Sequence, residues 1–120
     1  MTFIKKQQAY NFGLLTEYYI ICYLFFCGYR LVKHRYKSYF GEIDLLMQKG
    51  RTIIAVEVKA RKNKDASLEN SIHPNQLDRI VQSLDFFVSK NEKYNNWERR
   101  IDLVLVKGIF DIQYVKNCCG

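Results

Sequence analysis

From Gln8 to Cys27 the chain is apolar almost continuously, and Phe12, Leu15, Tyr19, Tyr23 and Phe26 fall at helical spacing. This predicts a core helix with its C-terminus at Gly28. The pattern then turns to strands. Tyr29 to Tyr39 reads as a basic, aromatic strand, and Gly41 to Gln48 as a second. Lys49-Gly50-Arg51 reads as a hairpin turn into an antiparallel partner, Thr52 to Lys59, rich in β-branched residues. Arg61 to His73 is polar and aperiodic, a loop long enough to suggest function. Pro74 opens a second helix, ending near Lys90-Asn91, with Leu77, Ile80, Val81, Leu84 and Val88 on one face. Ile101 to Val106 is a strand, and Ile109 to Val115 one more. The order α-β-β-β-α-β-β predicts an α/β sandwich around one mixed sheet of four to five strands.

The length of 120 residues suits a single domain spanning 1–120. A hydrophobic content of 48% excludes a disordered chain. Nineteen Lys and Arg against twelve Asp and Glu give a formal charge of +7, which favours a polyanionic partner. Cys22, Cys27, Cys118 and Cys119 form no metal-ligand pattern and no convincing disulfide framework, so they are read as reduced thiols of a cytoplasmic protein. No secretory signal is read at the start. The apolar run from Tyr18 to Tyr29 is short of the about 20 residues that span a bilayer, so no membrane span is expected.

Three carboxylates stand out against this apolar background. Glu17 is the one charged residue between Gln7 and Tyr29, on a helix apolar on nearly every side, and should be largely buried. Asp44 sits mid-strand, where Asp is disfavoured. Glu57 and Lys59 share one face of the next strand. If Lys49-Gly50 is the two-residue loop, Asp44 pairs with Ala55 and Glu42 with Glu57. Asp44 and Glu57 are then diagonal neighbours on a face with Glu42 and Leu46, opposite Ile43, Leu45 and Met47. Two carboxylates at that range repel unless a cation lies between them, and a hard cation with oxygen ligands fits. The plainer alternative is a salt-bridged sheet face, with Glu57 held by Lys59 or Arg61 and Asp44 by a nearby lysine.

Gly41-Glu42-Ile43-Asp44-Leu45 followed by Val56-Glu57-Val58-Lys59-Ala60-Arg61 resembles the signature of the YraN family. That uncharacterised bacterial family has a restriction-endonuclease-like fold, a three-layer sandwich related to archaeal Holliday-junction resolvases. Gly13-Leu14-Leu15-Thr16-Glu17 resembles its first-helix motif, and Arg100-Ile101-Asp102-Leu103 its late strand. The superfamily pattern often has Pro before the metal-binding Asp; here Ile43 takes that place, as is usual in the family. The resemblance implies metal binding by Asp44 and Glu57, with the Val58 carbonyl as a third ligand. It also implies a Lys59 that orients or activates water, and a Glu17 that binds a second metal or holds a metal-bound water. Glu42 is either a further ligand or the partner of a basic side chain.

These readings lead to an expected Mg²⁺- or Mn²⁺-dependent endonuclease hydrolysing phosphodiester bonds, with DNA preferred over RNA as substrate and a homodimer as a possible assembly. Lys33, Arg35, Lys37, Arg61, Lys62, Lys64, Arg99 and Arg100 are the candidate phosphate contacts. Tyr36 and Tyr39 either stack on bases or pack in the sheet. His34 is read as solvated or phosphate-facing, and His73 as a helix-start residue. Two other classes compete: a nucleic-acid-binding module without chemistry, and a peripheral membrane protein using the aromatic first helix.

Overall fold

A computed structural model describes residues 2–60, 73–108 and 111–117, with the side chains of the first helix described from Gly13 onward. Helix α1 (Thr2–Phe26) is followed by strands β1 (Arg30–Ser38), β2 (Gly41–Lys49) and β3 (Thr52–Ala60). Helix α2 (Pro74–Lys90), a short 3₁₀ turn at Glu92–Tyr94, and strands β4 (Glu98–Gly108) and β5 (Asp111–Val115) complete the chain. The element order is the one the sequence pattern predicts. One sheet runs β1-β2-β3-β4-β5, with β3 and β4 parallel and every other pair antiparallel. The β3–β4 crossover carries α2, as a parallel connection requires.

Each face of the sheet buries its own core. On one face Ile43, Leu46, Ile53, Ala55 and Ile101 meet Ile80, Leu84, Phe87 and Val88 of α2. On the other, Leu45, Met47, Ile54, Val56 and Val104 meet Ile20 and Leu24 of α1. Helix α1 ends in a Schellman arrangement: the Tyr29 N–H donates to the Leu24 carbonyl (2.9 Å) and Gly28 takes a φ of 93°.

The structure corrects three local expectations. First, the face of α1 marked by Leu15, Tyr19, Tyr23 and Phe26 does not pack on the sheet. Leu15 is 67% and Phe26 87% exposed, while Thr16, Glu17, Ile20 and Leu24 turn inward. A helix apolar on nearly all sides offers two stripes, and spacing alone cannot say which one is covered. Phe12 lies where the side chains are not described. Second, on α2 Val81 is exposed, and Phe87 and Ser83 are buried with Ile80, Leu84 and Val88. Third, Lys49 pairs with Thr52, so Gly50 and Arg51 make the turn. The pairing of β2 with β3 is displaced by two residues from the expected one, which leaves the faces of β3 unchanged.

A further irregularity shapes the site. Along β1, Val32 and Tyr36 pack toward α2, yet His34 between them reaches Glu17 on α1. A register shift between Leu31 and Lys33 and a φ of 54° at Arg35 make that reversal possible. On β2 strict alternation also fails. Ile43 belongs to the α2-side core while Leu45 and Met47 belong to the α1 side, so the expected common face of these three residues breaks at Asp44.

Candidate active site

The observed register, continued by one pair beyond Leu45–Val56, sets Asp44 directly opposite Glu57 rather than diagonal to it. In place of a main-chain ladder bond, the Val58 N–H donates to Asp44 Oδ2 at 2.9 Å. Glu57 is buried, and Lys59 two residues on places its Nζ 3.5 Å from Glu57 Oε1. From the first turn of α2, Gln76 Nε2 donates to the same oxygen at 2.9 Å. Pro74 starts that helix with a preset φ, which brings Gln76 over the strand. Gly41, Glu42, Asp44, Glu57, Gln76 and Arg79 line a cavity of about 260 Å³.

The approach of α2 depends on Gly41. Its φ is 151°, and a Cβ there would lie 3.3 Å from Arg79 Cβ. Ser38 ties the same corner together: its Oγ donates to the Gly41 carbonyl at 3.1 Å and lies 3.0 Å from Ser83 Oγ of α2.

The electrostatics of the pair are the most informative feature. Burial and the charge of Asp44 push the Glu57 carboxyl up to about 8, against a smaller opposing pull from Lys59. Asp44 is also raised, chiefly by burial and further by the charge of Glu17, with the Val58 N–H, Glu57 and Lys59 opposing. The two carboxyl groups lie close enough for each to shift the other. Where Glu57 keeps its proton, the repulsion between them is relieved.

A divalent cation would answer the same electrostatic need. Mg²⁺ is commonly held through one or two carboxylates, with water completing the octahedron. Asp44 and Glu57 fit that donor set. Among the described residues no three His, Cys, Asp or Glu side chains converge on one point. Among the described residues the donors present for such a site are these two carboxylates, with the Val58 peptide beside them.

Glu17 is not bonded to this pair. Its Oε1 accepts from Arg35 Nε at 2.8 Å and lies 2.7 Å from His34 Nε2, and Arg35 Nη2 reaches Oε2 at 3.3 Å. Glu17 enters the site through its charge, which Asp44 feels. His34, expected to be solvated, is instead half-buried against Glu17 and edge-on to Tyr18.

The candidate phosphate contacts scatter. Lys33 and Lys37 stand exposed on β1, and Lys37 pairs across from Glu42. Arg35 is engaged by Glu17. Arg99 binds Asp85 of α2, and Arg100 binds Asp102 and Tyr29, at the end of β4 that lies beside Ile53 and Ile54 rather than Glu57. Arg61, Lys62 and Lys64 lie outside the described residues. Tyr36 packs edge-on against Phe87, whereas Tyr39 is exposed at the β1–β2 turn. His73 is the exposed N-cap of α2 and makes no side-chain capping bond.

Sequence reasoning missed Gln76 and a third buried carboxylate. Asp102, fully buried, accepts from Arg100 Nε (2.9 Å) and Nη2 (3.0 Å), Tyr114 Oη (2.6 Å) and the Asn117 N–H (2.8 Å). The signal that marked Asp44, an Asp inside an apolar strand, was present at Asp102 too.

A family model described as an uncharacterised protein family, UPF0102, matches residues 16–106. The chain is 34% identical over 102 residues to UPF0102 protein mlr4633 of Mesorhizobium japonicum, covering 85% of this chain and 81% of the relative. It is 35% identical over 101 residues to UPF0102 protein Mmar10_3014 of Maricaulis maris, covering 84% and 79%. A relative from Ruegeria, UPF0102 protein TM1040_0449, is 32% identical over 116 residues, covering 97% and 93%. Asp44, Glu57, Gln76 and Asp102 all fall within the matched span.

Proposed function

The chain belongs to the uncharacterised protein family UPF0102, whose name states no activity, and from the chemistry of its carboxylate pair we propose a metal-dependent endonuclease acting on DNA. The observation that carries this is the meeting of buried Glu57 with half-buried Asp44 in one cavity, with Lys59 Nζ 3.5 Å from Glu57. Folding seldom benefits from two carboxylates brought together away from water, and a carboxyl group raised in this way is a mark of functional sites. The layered α/β/α arrangement around a mixed sheet supports a restriction-endonuclease-like fold.

Asp44 and Glu57 would hold Mg²⁺ or Mn²⁺, and the Val58 carbonyl would be the third donor. The bound ion would supply Lewis-acid polarisation of the phosphate and a lowered pKa for a water. The chain's own groups do the rest. Lys59 is placed to neutralise charge growing on a phosphoryl oxygen and to orient a water. Gln76 fixes the Glu57 carboxyl and leaves its other oxygen for a ligand. Glu17, anchored by His34 and Arg35, contributes negative potential behind Asp44. The exposed Lys33 and Lys37 would bind backbone phosphates without reading sequence.

The test is cleavage of labelled four-way junction, flap, linear duplex and single-stranded DNA with Mg²⁺, Mn²⁺ or EDTA, beside Glu57→Ala. Metal-dependent cutting that disappears in the variant is expected. Tight binding without cutting, equal in both proteins, would replace the enzyme with a nucleic-acid-binding module of the same fold.

A further inference from the structure

The carboxylate pair lies on the α2 side of the sheet. A second and larger cavity, of about 430 Å³, lies on the α1 side. It falls within the size range of small-molecule sites. Its walls include Tyr23 and Leu24 from the end of α1, Tyr29 before β1, Lys49 at the end of β2, and Tyr114 and Lys116 at the end of β5. Lys49 closes the strand on which Asp44 sits five residues earlier, about 17 Å away at strand rise.

Three features define what this cavity would take. Its aromatic walls are fixed in place. Arg100 Nη2 donates to Tyr29 Oη at 2.9 Å, and Tyr114 Oη donates to Asp102 at 2.6 Å. These two hydroxyls are thus committed to the buried network and Tyr29 forms the buried floor, while the half-exposed Tyr23 ring is open to a ligand. Its charge is positive. Lys49 Nζ stands 4.8 Å from the Tyr29 ring centre, and Lys116 is exposed at the rim. No carboxylate lines the cavity among the described residues, since Asp102 lies fully buried behind it and is neutralised by Arg100.

Aromatic walls with two ammonium groups and no anion match a flat ring that carries a phosphate. We propose that this cavity is a nucleotide site, in which the exposed Tyr23 ring contacts the base and Lys49 and Lys116 take the phosphate. Recognition rests on stacking and charge and does not select one base. The nucleotide is either free or the phosphorylated end of a strand, and both present the same chemistry. The site does not require the chain to cut.

The test is calorimetric titration of the intact protein in EDTA at low salt, with dAMP, deoxyadenosine, inorganic phosphate, and short single-stranded DNA with and without a terminal phosphate. dAMP should bind at least about tenfold more tightly than deoxyadenosine or phosphate alone. A Lys49→Ala/Lys116→Ala variant should lose about tenfold in dAMP affinity with an unchanged circular dichroism spectrum. Tyr23→Ala, at a half-exposed position, should weaken dAMP and leave phosphate unchanged. Phosphorylated DNA that binds more tightly than dAMP, by a margin the lysine variant removes, assigns the site to strand ends. Equal or weaker binding assigns it to free nucleotide. No dAMP binding at millimolar concentration, or equal binding by wild type and the lysine variant, overturns the proposal.

Discussion

Asp102 and Glu57 are both buried carboxyl groups on neighbouring central strands, and they have been treated in opposite ways. Asp102 receives four donor contacts, two of them from a guanidinium, and needs nothing further. Its influence is felt by its partners. Burial raises the Tyr114 hydroxyl, and the hydrogen bond to Asp102 raises it further. Burial lowers Arg100, yet the bond to and charge of Asp102, joined by Tyr29, together outweigh it and lift Arg100 above its ordinary value. Glu57 has one amide, one lysine at 3.5 Å and another carboxyl group facing it. A satisfied buried carboxylate holds a fold together. An under-satisfied one holds a proton until a cation replaces it. Burial alone therefore does not separate structure from function; the balance of donors does.

Substituting the satisfied group should do the most damage. Asp102→Ala leaves the half-buried Arg100 guanidinium and the Tyr114 hydroxyl without their acceptor, and should cost about 3 kcal/mol in urea unfolding. Glu57→Gln should do the reverse. Wild-type Glu57 has a folded pKa raised to about 8 from an ordinary 4.5. Between those values the folded state binds the proton and the unfolded state does not, so stability falls as pH rises through 4.5 to 8 and levels off above. Glu57→Gln removes that slope and should gain about 2 kcal/mol at pH 9 while changing little at pH 4. A flat wild-type profile, or a large loss in Glu57→Gln at pH 9, would break the contrast.

The cation should act on one carboxylate and not on the other. Mn²⁺ must displace the proton that Glu57 holds below about 8, so its stabilisation should grow from pH 6 to pH 9. At ten times its Kd it should add about 1.4 kcal/mol, read as a rise in Tm. Glu57→Gln should abolish the rise, whereas conservative change near Asp102, such as Tyr114→Phe, should keep it. Equal Mn²⁺ stabilisation in wild type and Glu57→Gln would move the cation elsewhere.

The contrast also explains what could be seen in the sequence. The strands and α2 were legible because Gly28, the Lys49-Gly50-Arg51 turn and Pro74 mark their limits with residues of restricted or special backbone geometry. Asp44, Glu57 and Lys59 could be grouped because strand alternation puts Glu57 and Lys59 on one face, and an error of register by two preserves that face. Which residues of Lys49-Gly50-Arg51 form the turn was not legible, so Asp44 was set diagonal to Glu57 rather than opposite. Nor was the reversal at Arg35, where a residue other than glycine takes a positive φ because Glu17 holds its side chain. Asp102 carried the same local signal as Asp44. Its satisfaction by Tyr114 and Asn117 depends on β5 folding back alongside β4, and no local pattern states that.

Glu17 lies between the two extremes and gives the finest test. Like Asp102 it is buried and well supplied with donors, from His34 and Arg35; like Glu57 it belongs electrostatically to the site, because its charge raises Asp44. Glu17→Gln keeps a carbonyl oxygen for Arg35 and fills the same volume, so unfolding should cost only about 1 kcal/mol. The electrostatic consequence should still be visible. With the negative charge behind it removed, Asp44 should titrate at lower pH, as followed by carboxyl carbon NMR, while Asp102 should not move. If Asp44 does not shift, Glu17 is a structural anchor for β1 alone, and the functional group contracts to Asp44, Glu57 and Lys59. If it shifts and stability is kept, Glu17 serves as a screened charge whose position His34 and Arg35 fix, which is why two adjacent residues of β1 both turn toward one carboxylate.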